Sequence, residues 1–489
     1  MNHSANVENQ SGVRQNTLSP ADGSVVATVV LATPEAVQRT LDNANKAQKE
    51  WILTPLSERK AYCNRAIDAL LSHKEMIASE LSWMMGRPIK HSGSELRGVE
   101  ERARYMIKHC EQALAPIDLP EKSGFTRYIT REPLGTILVI SPWNYPYLTA
   151  INSIIPALLA GNSVILKPSS HTPLCAQRFQ QAFDEAQLPQ GVFQHLFMSH
   201  NATEELVSSE QLQHVVFTGS VTGGALIEIA AAGHFHGLGL ELGGNDPAYV
   251  RHDADINDAV ETIVDGALYN AGQSCCAIER VYVDYRVHDE FVEKAVQLVN
   301  QYQLGFPLDE DTTLGPLIST SAADHVRHQI TDAQQKGALA HISEACFPNS
   351  KLGSPYLAPQ VLTDVDHSMQ VMTEETFGPL IPIQKVFSDQ QAIELMNDSK
   401  YGLTASIFTS DIQQAITIGN QIETGTFFAN RCDYLDPALA WTGIKHSGKG
   451  YALSTLGFET LTRPKSFHLK HPKQPHSGDN NNGSPITSD

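Results

Sequence analysis

Apolar residues recur every three to four positions over 34–51, PEAVQRTLDNANKAQKEW, and place Val37, Leu41, Ala44, Ala47 and Trp51 on one face. That period predicts an amphipathic helix, with Thr33 as its N-cap and Pro34 in its first turn. Further helical runs are predicted over 58–81 and about 96–113. From residue 135 the pattern changes to short apolar runs, GTILVI (135–140), NSVILK (162–167), FQHLF (193–197) and HVVFTG (214–219). Helical stretches near 148–160, 173–187, 202–208 and 222–232 separate them. Apolar strand, crossover helix and apolar strand predict a parallel sheet with helices on both faces, whose ligands bind beyond the carboxyl ends of the strands. The alternation resumes after LELGG (240–244), with strands at 247–251, 280–287, 381–386 and 404–411. Helices are predicted there near 255–270, 289–302, 319–337, 389–398 and 411–420. The fold class is therefore α/β with two domains, the first ending near 243 and the second near 440. Residues 1–17 and 471–489 are polar and are expected to be disordered.

Composition narrows the choice of partner. A net charge of −19 disfavours nucleic acid, because phosphate binding needs clustered Lys and Arg. The most apolar stretch, INSIIPALLAGNSVIL (151–166), is broken by Asn, Ser, Pro and Gly. It falls short of the roughly 20 apolar residues that span a bilayer, so no membrane partner is expected. Seven cysteines is an odd number, and apart from the adjacent Cys275 and Cys276 they are widely spaced. There is no CxxC pattern, so no metal site is expected, and the compartment reads as reducing and cytoplasmic. The opening MNHSANVENQSGVRQ has no apolar run of the kind a signal peptide carries.

Five stretches concentrate residues suited to chemistry: SPWNYPYLTA (141–150), FTGSVTGG (217–224), LELGGNDPA (240–248), NAGQSCCA (270–277) and EETFGP (374–379). Cys275 lies 34 residues beyond Glu241. In this order and spacing the motifs resemble those of the aldehyde dehydrogenase superfamily, over about residues 18–469. The resemblance implies a Rossmann-like NAD(P)-binding domain (18–115 and 134–243), a catalytic domain (244–440) and a small β-arm for oligomerisation (116–133 and 458–470). FTRYITREP (125–133) and LTRPKSFHL (461–469) fit the pairing strands of that arm, and a homodimer or homotetramer is implied.

The implied reaction is NAD(P)-dependent oxidation of an aldehyde to a carboxylic acid. Cys275, in GQSC, matches the family nucleophile, which forms a thiohemiacetal and then a thioester. Buried cysteine is by itself common and inert, so the surrounding motifs carry this assignment, and Cys276 becomes a packing neighbour. Asn144 matches the side-chain donor to the developing oxyanion, with the Cys275 backbone N–H as partner. Glu241 matches the base that activates water to hydrolyse the thioester, and its apolar setting should raise its pKa. Its presence favours release of a free acid over transfer to coenzyme A.

The implied cofactor contacts are Gly219, Ser220 and Gly223 at the phosphates, Trp143 near the pyrophosphate, and Leu242 beside the base. Lys167 falls to the adenosine ribose, and Glu375 and Phe377 to the nicotinamide ribose and ring. After Lys167-Pro168-Ser169, many NAD-preferring members carry a glutamate that repels a 2′-phosphate. This chain has Ser170, so NADP should be accepted as well as NAD. The substrate walls are expected at Tyr145, Thr149, Asn152, Phe377 and residues 431–434 (Arg431, Cys432, Asp433, Tyr434). Two other readings stand beside this one: a cysteine-dependent esterase or amidase, and a catalytically silent binding protein on the same fold.

Overall fold

The computed structural model describes residues 12–432 and 434–472. Its first large sheet has six strands in the order Gly448–Lys449, Gly237–Glu241, His214–Thr218, Thr136–Ile140, Ser163–Lys167 and Phe193–His195. All its neighbours are parallel except the first pair. The apolar strand Thr136–Ile140 is buried throughout, as a central parallel strand requires. The chain proceeds from it through two strands on one side and then returns to its other flank. The topological switch point therefore lies between Thr136–Ile140 and His214–Thr218, and a ligand crevice opens beyond their carboxyl ends. Trp143-Asn144 and Gly219-Ser220 follow directly from those ends.

The second large sheet has seven strands, with Ile278–Asp284, Asp246–Val250 and Thr404–Phe408 adjacent in its interior. Each of these three strands is buried along its length. The fold is thus α/β, a Rossmann-like unit followed by a second parallel-sheet unit, and no described helix is long and apolar enough to cross a membrane. A third, three-stranded sheet pairs Phe125–Pro133 with Thr462–Lys470 over nine residues and adds Ile117–Asp118. Tyr128 and Phe467 stack across it at 4.6 Å.

The helix Pro34–Trp51 buries Leu41, Ala44, Ala47 and Trp51, and Thr33 accepts from the Ala36 N–H as its cap. The run at 58–81 is two helices, Leu56–Ser72 and Lys74–Met85, broken at His73. Order begins earlier than the polar N-terminus suggested, because Arg14–Leu18 pairs antiparallel with Val25–Val30. Residues 14–17 are therefore strand, held by backbone pairing that needs no apolar side chains. His471 also has a place, donating from its N–H to Gly124 O. The rest of the two expected disordered tails, 1–11 and 473–489, lies outside the described residues. The chain also re-enters the first sheet after residue 440, through Gly448–Lys449.

Candidate active site

The strand ends bring the motifs together. Glu241 ends its strand opposite Thr218, whose hydroxyl donates to the carboxyl at 3.4 Å. Burial is the main cause that pushes the Glu241 carboxyl up to about 7, and Arg102 and Thr218 pull the other way. On its far side Glu241 pairs with Gly448. The preceding Ser447 binds this edge twice more: its carbonyl accepts from the Leu242 N–H at 2.9 Å and its hydroxyl donates to Gly243 O at 2.7 Å. Gly244 is bare because a side chain there would run into the backbone carbonyl of Cys275. The LELGG turn and the cysteine loop are thus packed back to back, which fixes base and thiol relative to each other.

The cysteine loop is unusual backbone. Asn270, Ala271 and Gly272 are successive left-handed residues, with φ of 53°, 57° and 72°. A side chain at Gly272 would strike the carbonyl of Gly378. Such conformations are costly and persist only where neighbours hold them. Here Asn270 accepts from Arg87 Nε and donates to Gln273 O, both at 3.2 Å. The Gln273 side chain accepts from the Ile318 N–H at 2.8 Å and donates to Asn270 O at 3.1 Å. Cys275 emerges half-buried into a cavity of about 700 Å³ that Glu241 also lines. Cys276 is buried among Leu403, Trp441 and Leu453.

Asn144 is buried, and its amide donates to Gln273 O at 3.2 Å. Its own carbonyl accepts from Arg87, whose guanidinium also pairs with Glu95 at 2.7 Å and lies over the Tyr145 ring. Glu95 in turn accepts from the Tyr147 and Leu148 N–H groups, in the first turn of the helix Pro146–Ala160. One fully buried ion pair therefore positions both Asn144 and the loop that carries Cys275. The motif reading missed Arg87 and Glu95, which lie outside the motifs and between two predicted helical runs, where a charge reads as solvated surface.

Tyr145, Thr149, Asn152, Cys432, Tyr434 and Leu242 line the cavity. Arg431 does not: it is exposed and lies over the Tyr434 ring at 4.1 Å, because cation–π contact and solvation hold it outside. Phe377 also stays off that cavity, edge-on to Trp143 at 5.7 Å. Asp433 lies outside the described residues.

At the switch point Ser220 caps the helix Val221–Ala231 by accepting from the Gly223 N–H. The Gly219 N–H donates to Glu241 O at 3.0 Å. Both glycine donors expected at a phosphate are therefore spent inside the protein. Among the described residues no acceptor takes the first-turn N–H groups of Val221 and Thr222, which carry the positive end of the helix dipole. Lys167 ends its strand with burial alone lowering its pKa and no ion pair among the described residues. Ser170 is exposed, and its carbonyl accepts from the Thr17 hydroxyl at 2.8 Å.

Glu375 accepts from the Gly244 N–H at 3.0 Å. Phe377 sits at φ 51°, and its N–H and that of Thr376 both donate to Glu279, each at 2.8 Å. Asn245 adds a third donor to Glu279 at 3.1 Å. Burial raises the carboxyls of both Glu279 and Glu375, and the charge on Glu375 raises Glu279 further. Glu279 was also missed, since it sits in a strand reading as plain sheet.

A model of the aldehyde dehydrogenase family matches residues 7–467. The NADP(+) succinate-semialdehyde dehydrogenase of Deinococcus radiodurans is 32% identical over 458 residues, covering 94% of this chain and 95% of that protein. An aldehyde dehydrogenase of Paenarthrobacter nicotinovorans is 33% identical, covering 92% of this chain and 98% of its own. Among solved structures, succinic semialdehyde dehydrogenase from Streptococcus pyogenes, in complex with NADP+, is similar with a TM-score of 0.89 at 30% identity, covering 94% of this chain and 100% of that one. With its full-length match and the cysteine, glutamate and asparagine motifs gathered at one crevice, this chain belongs to the aldehyde dehydrogenase family.

Proposed function

We propose that the chain oxidises an aldehyde to a carboxylic acid with NAD or NADP, using Cys275 as nucleophile, Asn144 as oxyanion donor and Glu241 as general base. The observation that carries this reading is the convergence of the Cys275 thiol and the Glu241 carboxyl on one cavity, with Asn144 anchored to the loop that delivers the thiol. The Cys275 thiolate adds to the aldehyde carbon, forming a C–S bond while the carbonyl pair moves to oxygen. The remaining amide N–H of Asn144 and the backbone N–H of Cys275 meet that charge. Loss of hydride from the same carbon leaves a thioester, and accepting that hydride is the chemistry a bound nicotinamide supplies. Glu241 then takes a proton from water, the hydroxide adds to the thioester carbon, and the C–S bond breaks to release the acid and restore the thiolate.

The residues at the switch point suit the cofactor. The Ser220 hydroxyl and the Val221 and Thr222 N–H groups face a pyrophosphate, with Trp143 beside them. The unpaired ammonium of Lys167 suits the adenosine ribose, and Glu375 and Phe377 hold the nicotinamide end. Ser170 adds no negative charge against a 2′-phosphate, so NADP is used as well as NAD; the NADP(+) relatives support this. No two of the seven cysteines are joined, which supports a reducing, cytoplasmic setting. The paired arm Phe125–Pro133 and Thr462–Lys470 supports assembly into a homodimer or homotetramer.

The deciding experiment follows aldehyde-dependent reduction of the cofactor in two variants. Cys275→Ala should abolish it and Cys276→Ala should retain it. Retention in Cys275→Ala would overturn the assignment.

A further inference from the structure

Arg102, on the helix Ser94–Leu114, lines the same cavity as Cys275 and Glu241 and is only 6% exposed. Its Nη1 donates to Leu148 O at 3.1 Å and to Asn152 Oδ1 at 3.2 Å. Among the described residues, no protein acceptor takes its Nε or Nη2 protons and no carboxylate lies within 4.0 Å of it. The other deeply buried arginines differ. Arg87 is paired with Glu95. Arg280 spends Nε on Asn245 O, Nη1 on Tyr282 Oη and Leu395 O, and Nη2 on Met396 O. Those are guanidinium groups whose donors the protein itself consumes. Arg102 is a buried cation with half its fork unspent and its outlet in the reaction cavity. The Glu241 carboxyl shares the cavity and feels this charge but makes no ion pair with it, so the contacting partner for the free edge of a buried guanidinium is expected to arrive with a ligand.

We propose that Arg102 receives the carboxylate of the substrate, so that the aldehydes this enzyme favours carry a carboxylate on a short aliphatic chain. The proposal rests on the assignment of Cys275 as nucleophile. A guanidinium held in plane by Asn152 presents parallel donors that match a carboxylate, a geometry that a ligand hydroxyl or apolar tail does not use. The cavity also has acidic residues, but they do not occupy the same ground. Glu101, Glu261 and Asp265 are exposed, and Glu101 accepts from the Tyr434 hydroxyl at 2.6 Å. The charges of Glu101 and Glu261 are screened by water and salt, and partial burial raises the Asp265 carboxyl toward its neutral form, whereas the charge of Arg102 acts in a low-dielectric interior. Glu95 is already committed to Arg87. Among the described residues of the cavity, Glu241 is the remaining carboxyl, and the proposed water-activating step requires it there.

The test compares 4-oxobutanoate and 5-oxopentanoate with butanal and pentanal, in the wild type, Arg102→Met and Arg102→Lys. The readout is the ratio of kcat/KM for the oxo acid to that for the alkanal, in which any general effect of Arg102 on Glu241 or on folding cancels. The ratio should favour the oxo acids in the wild type. It should fall by about 30-fold or more in Arg102→Met, the scale on which removing one partner of a buried charge pair is felt, and be partly kept in Arg102→Lys. An unchanged ratio in Arg102→Met overturns the proposal. A second measurement needs no variant: butanoate should inhibit pentanal oxidation more strongly than butanamide, and equal inhibition overturns it too. Failure of the underlying mechanism looks different, because Cys275→Ala would then keep its activity on every aldehyde in the panel.

Discussion

The side-chain amide of Asn144 donates to the backbone carbonyl of Gln273, 3.2 Å away and two residues before Cys275. One N–H of the amide is thereby fixed, and the orientation of the other follows from it. An oxyanion donor built this way needs no reorganisation when charge develops. Asn144→Ala should lower kcat/KM by about 10²–10³. Asn144→Asp should do at least as much harm, since it sets a carboxylate against both a carbonyl and the oxyanion. Steady-state kinetics, with thermal melting to exclude unfolding, checks both.

Glu241 should impose a pH limb on the second half of the reaction. With its carboxyl raised to about 7 by burial, it is protonated below that pH and takes no proton from water. Hydrolysis of the acyl-enzyme should therefore rise with pH through about 7. Glu241→Gln should give one burst of reduced cofactor and then stall. Stability follows the opposite sign. The folded carboxyl binds its proton more tightly than the unfolded one, so its contribution is present at low pH and is lost as pH rises through the folded pKa. Glu241→Gln should melt above the wild type at pH 8 and near it at pH 5.

Glu279 grips the Thr376 and Phe377 N–H groups with its two oxygens, so in the proposed reading it is a positioning residue for the cofactor clamp. Glu279→Gln removes one acceptor and sets an amide N–H against a backbone N–H, a loss of about 1–3 kcal/mol in anchoring. The KM for the cofactor should rise roughly tenfold on that scale. Acylation of Cys275 by an activated ester, which uses no cofactor, should stay near the wild-type rate. Equal loss in both assays would mean that the fold, rather than the clamp, was damaged.

Ser170→Glu should turn the enzyme toward NAD. A carboxylate at this exposed position repels a 2′-phosphate and accepts from a 2′-hydroxyl. The ratio of kcat/KM for NADP to that for NAD should fall by about two orders of magnitude, near 3 kcal/mol. A wild type preferring NAD by more than about a thousandfold would contradict the role given to Ser170.

The sequence was most legible where local chemistry is distinctive. Trp143, Asn144, Glu241, Cys275 and Glu375 stand in motifs, and alternating apolar runs marked the central strands of both sheets. Gly237–Glu241 was missed as a strand because GLGLE has no β-branched residue, although its neighbours impose the ladder. Thr426–Ala429, of four residues, is shorter still and was absent from the periodic reading. Arg87, Glu95, Arg102 and Glu279 were invisible for another reason. A charge on a helix, strand or connecting segment reads as solvated surface until tertiary packing buries it. Each gains its role from contacts with segments distant in the chain, which no local window contains. Gly219 and Gly223 show the converse: the motif was seen, but whether their N–H groups were still available depended on Ser220 and Glu241.

The strand Gly448–Lys449 and Ser447 also bear on how the enzyme comes into being. A chain emerging from the ribosome holds its Cys275 thiol and its Glu241 carboxylate well before it reaches Ser447. The segment that fastens Glu241, Leu242 and Gly243 begins 172 residues after Cys275 (447 − 275). The nascent protein therefore carries the thiol and the carboxyl of the proposed catalytic pair before the contacts that align them can form. Chains truncated before Ser447 should keep both reactive groups and lack the geometry that makes them work together.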